Sequence, residues 1–135
     1  MAFAPISTTA IIAAALAAFV FGALWYTALS RPWMAALGMA PPAQRVVPVV
    51  PMIVSIIAEL IMAFVLAGII GPLGPGAVTL KNGLISGAFV WAGFIATTLA
   101  MNYAYQSRSL KLYAIDAAHW LGVMLLQGAV LGAVG

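Results

Sequence analysis

The chain lacks cysteine entirely and has very little charge. Its 135 residues include five Lys or Arg and two Asp or Glu, so 5% are charged, and 66% are hydrophobic. The absence of cysteine excludes disulfides, thiolate nucleophiles and thiolate metal ligands. A soluble domain carries about 25% charged residues, so most of this surface cannot face water. The composition therefore indicates a protein whose solvent is mainly lipid.

The length bounds the number of membrane spans. A spanning helix needs roughly 20 apolar residues, so 135 residues accommodate four spans with short connections and leave no room for a second domain. We predict an all-α polytopic membrane protein, a single domain over residues 1–135, built as two antiparallel helix hairpins and a short interfacial helix. The predicted spans cover residues of about 6–29, 48–70, 81–104 and 112–134.

Local signals mark where these helices begin and end. No Lys or Arg precedes the first apolar run, so we interpret that run as a retained span rather than a cleaved signal peptide. After Arg31, Pro32 can open a short helix that runs to Leu37 and stops at Gly38, lying in the membrane interface. The segment Gly71-Pro-Leu-Gly-Pro-Gly76 is a turn between the second and third spans.

Small residues recur at four-residue spacing, which lets helix backbones approach closely. The first, third and fourth predicted spans carry such faces and the second does not. Their members are Ala14, Ala18 and Gly22; Gly83, Gly87, Ala92, Ala96 and Ala100; and Gly128 and Gly132.

The basic residues are scattered beside apolar runs, which is typical of topology markers and not of a nucleic-acid site. Four of them fall in the first and third connections and only Lys81 faces the other side, so the positive-inside rule predicts both termini outside a cytoplasmic membrane. We interpret most aromatic residues as a belt at the cytoplasmic interface. The predicted residues of this face are Trp25, Tyr26, Arg31, Trp33, Tyr103, Arg108, Lys111 and Trp120, with Arg45 also in the first connection.

The segment 102–120 concentrates the polar chemistry of the chain. Asp116 and His119 are three residues apart and share a helix face. Asn102 lies near the end of the preceding span, and the short connection makes the two spans neighbours. We expect these three side chains to meet inside the bundle, either as a proton or ligand site or as a polar clamp that fixes the hairpin.

Glu59 is the second candidate site, because it lies 11 residues into its span, roughly 16 Å from the end. An ionisable residue inside the membrane costs at least ~2.5 kcal/mol and needs a partner. The alternative is a neutral carboxyl bonded to a neighbouring carbonyl or threonine. Glu59, Asp116 and His119 lie at different depths and supply too few ligands, so we predict no metal, no other cofactor and no catalytic residue set.

Two segments at the ends of the first and third spans echo each other. Tyr26-Thr-Ala-Leu-Ser-Arg31 and Tyr103-Ala-Tyr-Gln-Ser-Arg108 share Tyr, Ser and Arg in register. The match is short, and it leaves open whether two duplicated hairpins are related by a parallel repeat.

Several segments together resemble a known bacterial membrane family that is catalogued only as a domain of unknown function. They are Gly22-Ala-Leu-Trp-Tyr26, then Trp33 and Gly38, then 102–111, and then Ile115-Asp-Ala-Ala-His-Trp120. The resemblance covers nearly the whole chain and implies a four-span inner-membrane protein, but it brings no reaction with it.

Two functional hypotheses follow. The first is a small permease or channel-like protein for protons or a small solute, acting as a homo-oligomer because four short helices enclose little volume. The second is an accessory or scaffold subunit of a larger membrane complex, and an enzyme comes third. The expected partners are the lipid bilayer and either further copies of the chain or a partner membrane subunit, and we expect no nucleic acid.

Overall fold

The computed structural model describes residues 6–44 and 46–135. Every regular element in these residues is helical, which confirms the predicted all-α class. Four helical stretches are long and apolar enough to cross a membrane. Arg45, one of the residues counted for orientation, lies outside the described residues. The helices are α1 (Thr8–Ala28), α2 (Ser30–Leu37), α3 (Val49–Ile70), α4 (Leu80–Val90), α5 (Ala96–Tyr105) and α6 (Leu110–Val134).

Hydroxyl side chains start three of these helices. Ser7, Thr79 and Ser109 each accept a hydrogen bond from the backbone N–H three residues on, at 3.2 Å. Such caps satisfy N–H groups that have no partner within the helix. Gly38 ends α2 with φ of 73°, a backbone conformation that glycine adopts without strain. The short helix predicted after Arg31 is therefore present, and local sequence chemistry sets its end.

Helix α6 lies at the centre of the bundle. It contacts α1, α3, α4 and α5, and α2 also packs against its first part. Helix α1 packs against α3, and α4 packs against α6, so the chain forms the two expected hairpins. The core consists mainly of Ala10, Ala14 and Ala63 with the larger Leu66, Met124 and Leu131. Because α6 touches every other helix, its inward-facing side chains can form a site with any of them.

Glycines bring α4 and α6 into backbone contact. A methyl group added at Gly83 would overlap the carbonyl oxygen of Gly128, and one added at Gly87 would overlap that of Met124. Gly132 lies in the same way against the carbonyl of Thr79. The close packing predicted from the four-residue spacing is confirmed for this helix pair.

The third span is interrupted, which corrects the prediction for its second half. Residues Trp91–Ile95 form a single π-helical turn between α4 and α5, in which the Ala96 N–H donates to the Trp91 carbonyl. One extra residue in the turn rotates the following helix by roughly 100°. As a result Ala92 and Ala100 are exposed and do not continue the close-packing face of α4.

Helix α3 differs from its prediction in its second half. It does have a small-residue packing face, because Ala63 and Ala67 are both buried. Its first part has no such face, since every residue from 49 to 57 is exposed. Within the described residues α3 contacts α4 but neither the π turn nor α5. The two spans therefore diverge along this half of the bundle, and Glu59 is the first buried residue of α3.

Candidate functional site

The carboxylate of Asp116 lies at the centre of a hydrogen-bonded cluster in the first part of α6. Its side chain is only 8% exposed. Oδ1 accepts from the Tyr26 hydroxyl at 2.6 Å and from the Trp33 indole N–H at 3.1 Å. Oδ2 accepts from the Tyr103 hydroxyl at 2.5 Å. We call these four residues the Asp116 cluster.

The donors of the Asp116 cluster come from three different helices. Tyr26 belongs to α1, Trp33 to α2 and Tyr103 to α5, so one carboxylate ties all three to α6. Hydrogen bonds to an ionised acceptor are short and strong. Tyr26 and Tyr103, the residues that open the two echoed segments, take one carboxylate oxygen each. Both carboxylate oxygens therefore accept hydrogen bonds from other helices, which is the geometry expected if Asp116 acts as a polar clamp.

His119 lies beside this cluster in an aromatic enclosure and is 5% exposed. Its ring centroid is 4.8 Å from those of Tyr26 and Trp120, and it stacks against Phe21 at 6.0 Å. A Cβ atom at Gly22 would come within 2.9 Å of Nε2, so only glycine leaves room for the imidazole. Nδ1 is buried and has no hydrogen-bond partner in the part of the chain that the structure describes.

Several aromatic residues predicted to form a belt at the membrane interface use their polar atoms inside the bundle. Tyr26, Trp33 and Tyr103 direct their polar atoms inward to Asp116, and the Trp25 indole donates to the Ile115 carbonyl at 3.2 Å. A buried carboxylate needs donors, and these side chains are the ones within reach. Of the predicted interface residues, the three cations are the exposed ones: Arg31, Arg108 and Lys111.

Asn102 does not join Asp116 and His119, contrary to expectation. It is exposed, whereas the next residue, Tyr103, is half-buried and bonds to Asp116. Successive residues of an α-helix point about 100° apart, so only one of the two can face α6. The predicted meeting therefore holds for the acid and the imidazole but not for the amide.

Glu59 faces a residue that the sequence reasoning missed. Gln127 of α6 is 0% exposed and Glu59 is 4% exposed. The Gln127 side-chain N–H donates to the backbone carbonyl of Glu59 at 3.1 Å. Glu59 Oε2 and Gln127 Oε1 are both buried and have no hydrogen-bond partner among residues 6–44 and 46–135. We call these two residues the Glu59–Gln127 pair.

A signal for Gln127 was present in the chain. It lies 11 residues after Asp116, about three helical turns, and eight after His119, which is within about 80° around the helix, so all three lie on one side of α6. A side-chain amide that lies on the same helix face as two ionisable groups inside a predicted span is itself a candidate site residue. The eight residues between His119 and Gln127 correspond to roughly 12 Å, so the pair and the Asp116 cluster are separate sites.

The donor set does not resemble a metal centre. No group of three or more His, Cys, Asp or Glu side chains comes together in the described residues 6–44 and 46–135. The two unpartnered oxygens of the Glu59–Gln127 pair are acceptors when the carboxyl is ionised. They can accept hydrogen bonds from water or from a ligand that carries donors.

Comparison with known proteins places the chain in a family. A family model described as "Protein of unknown function (DUF1761)" matches residues 9–132. No curated protein and no solved structure matches the chain. The match contains all four residues of the Asp116 cluster and also the Glu59–Gln127 pair. The chain therefore belongs to the DUF1761 family, as its resemblance to an uncharacterised family predicted.

Proposed function

We propose that this member of the DUF1761 family is a small membrane permease that moves protons or a small solute through the Glu59–Gln127 pair. The observation that carries the proposal is the pair of buried acceptor oxygens without partners on facing helices. A buried polar atom without a hydrogen bond costs about 1–3 kcal/mol. A cost of that size inside an apolar bundle is consistent with a partner that binds and leaves during function.

The chemistry of the pair suits a group that alternates between two states. In the neutral state the carboxyl of Glu59 carries a proton and can donate it to an acceptor such as Gln127 Oε1. In the ionised state both side chains offer only acceptors at these positions, so donors must arrive from a solute or from water. Gln127 is held in place because its N–H is fixed on the Glu59 carbonyl.

His119 is the residue we assign as a relay between the pair and the end of the bundle that holds Asp116. Its Nδ1 has no partner, so the imidazole can accept a proton there. Asp116 itself is a positioning residue in this proposal, because its two oxygens already accept three hydrogen bonds. The separation of roughly 12 Å along α6 is too long for direct transfer, so water must connect the two sites.

We propose a homo-oligomer in the cytoplasmic membrane with both termini outside. Support for the orientation comes from the exposed cations Arg31, Arg108 and Lys111, which lie in or beside the two connections at the Asp116 end of the bundle. Support for further copies comes from α5, which has no buried residue, and from the exposed segment 49–57 of α3.

Flux measurements in reconstituted vesicles test the permease proposal. Glu59→Gln keeps the shape of the side chain but cannot carry a proton, so we expect it to abolish flux driven by a pH gradient while the melting temperature stays close to that of the wild type. Asn102→Ala is the matched control, because Asn102 is polar but exposed on α5, and it should retain wild-type flux. Absence of flux in the wild type, or normal flux in Glu59→Gln, would contradict the proposal.

The second candidate function is an accessory subunit of a membrane complex. The observation that favours it is the exposure of small and polar residues on α5, namely Thr97, Ala100 and Asn102, on a helix otherwise suited to close packing. Native purification with mass measurement separates the two functions. A homo-oligomer supports the permease, and a foreign subunit in fixed stoichiometry supports the accessory role.

A further inference from the structure

An apolar groove opens on the surface between α3, α4, the π turn and α6. Its volume is about 240 Å³, and its walls include Val65 of α3, Val90 of α4, Ile95 of the π turn and Met124 of α6. All the side chains that line it are apolar. A groove of this composition on a membrane-spanning bundle opens to the hydrocarbon and offers no path for a hydrated ion.

Two residues that line this groove are close in sequence to the Glu59–Gln127 pair. Met62 lines the groove three residues after Glu59, and Met124 lines it three residues before Gln127. Residues three apart are neighbours on one helix face, so each methionine lies directly beside one member of the pair. Methionine side chains are unbranched and adapt to irregular space. Both can therefore move aside to let a ligand pass from the groove towards the pair.

We infer that the groove admits a small lipophilic amine from the bilayer, and that its protonated amino group binds Glu59 Oε2 and Gln127 Oε1. This inference rests on the proposed permease and names its substrate class. An ammonium group carries several N–H donors and no acceptor, which matches two acceptor oxygens. Its positive charge pairs with the ionised carboxylate of Glu59, so neither charge stays unpaired in the apolar bundle.

The size of the groove limits the apolar part of the ligand. An engineered cavity of about 150 Å³ in another protein binds benzene, and pockets for drug-sized ligands begin near 300 Å³. A groove of about 240 Å³ lies between these values. It fits one aromatic ring with a short alkyl chain, or an alkyl chain of similar volume. The carboxylate holds either the amine or a proton, so the two would exchange at one site.

A second groove on the other side of α3 provides a matched control. It is also apolar, has a volume of about 210 Å³ and is lined by residues of α1 and α3 that include Leu16. Leu16 and Val65 are equally exposed, at 53% each. Phenylalanine at either position fills a groove without disturbing the core. The second groove is lined near Glu59 as well, by Ile56 and Leu60, but all its lining residues belong to α1 and α3, whereas the groove that contains Val65 is lined from both α3 and α6.

The experiment measures binding of radiolabelled 2-phenylethylamine to the full chain in lipid nanodiscs at neutral pH. We expect saturable binding by the wild type, and uncharged 2-phenylethanol in excess should not compete. Val65→Phe, Glu59→Gln and Gln127→Leu should each weaken binding by at least about tenfold, whereas Leu16→Phe should stay within about twofold of the wild type.

Three results would overturn the inference: no saturable binding by the wild type, full competition by the alcohol, or equal losses in Val65→Phe and Leu16→Phe. The Val65 and Leu16 variants change exposed positions, so the comparison survives if the Glu59 variant fails to fold. Proton flux that depends on Glu59 without amine binding would overturn this inference and leave the permease proposal standing. Amine binding without any flux would overturn the permease and leave a binding site.

Discussion

At the scale of single residues, Asp116 determines where much of the aromatic content lies. The three hydrogen bonds described for this buried carboxylate all come from uncharged donors, namely two phenol hydroxyls and one indole N–H. Donors from several directions satisfy the lone pairs of a carboxylate without a cation nearby. Tyr26, Trp33 and Tyr103 therefore turn inward, although their sequence positions are equally suited to the membrane interface.

The clamp role of Asp116 predicts a large loss of stability on its removal. Asp116→Ala leaves three donors without their acceptor, and we expect the free energy of unfolding in detergent to fall by about 3 kcal/mol or more. Leu126→Ala, at a half-buried apolar position of the same helix, should cost less. Denaturant titration followed by circular dichroism measures both. An Asp116→Ala variant as stable as Leu126→Ala would show that the cluster does not hold the helices together.

At the scale of helices, two kinds of contact hold the bundle together. Backbone contact through Gly83, Gly87 and Gly128 joins α4 to α6 along one half of the span. From the π turn onward the contact changes to side-chain hydrogen bonds. The Trp91 indole donates to the Ala117 carbonyl at 2.8 Å, and the Tyr113 hydroxyl donates to the Ala96 carbonyl at 3.1 Å. The π turn therefore separates a tightly packed half from a looser half.

Two glycine substitutions within the same span test this division. Gly83→Ala places a methyl group on the Gly128 carbonyl, so the helices must separate, and we expect a loss of about 1–3 kcal/mol or more. Gly93→Ala, in the π turn, meets nothing within 4 Å and should change stability by no more than about 1 kcal/mol. Melting temperatures in the same detergent compare the two. Equal destabilisation by both would refute the close α4–α6 contact.

At the scale of the whole molecule, one side of the bundle is closely packed and the other side is mostly exposed. Helices α1, α4 and α6 pack through small residues, whereas the first part of α3 and all of α5 are mostly exposed. In the bilayer these surfaces face lipid or another chain. The polar atoms of the Asp116 cluster and of the Glu59–Gln127 pair face the bundle interior, which keeps them away from the hydrocarbon, where charge is most costly.

The orientation proposed for the chain predicts on which side of the membrane each connection lies. Because the chain has no cysteine, a single introduced cysteine is the only thiol in the protein that can react. We expect Pro75→Cys to react with a membrane-impermeant maleimide added to intact cells, and Gln106→Cys to react only after the cells are opened, because the positive-inside rule places the second position in the cytoplasm. Both positions are exposed in the structure. Reaction of both cysteines from the same side would contradict the four-span topology.

The sequence by itself determined the helical class, the four long apolar helices, the short α2 and the turn near Gly71. These features depend on local properties: hydrophobic length, capping hydroxyls such as Ser109, and glycine or proline at the ends. The glycine spacing also predicted the α4–α6 contact, because small residues at i and i+4 act through backbone proximity alone. Glu59, Asp116 and His119 were found because each is costly inside a membrane.

The tertiary structure decided which way each helix faces. In a soluble protein the contrast between apolar and polar faces reveals this, but here both the lipid side and the core side are apolar, so the sequence carries little periodic signal. That is why the exposure of Asn102 and the inward turn of Tyr103 were not foreseen, and why Gln127 was missed. The rotation introduced by the π turn at Trp91–Ile95 and the partners of Asp116 depend on contacts between residues far apart in the chain, which only the folded arrangement of α1, α3 and α6 brings together.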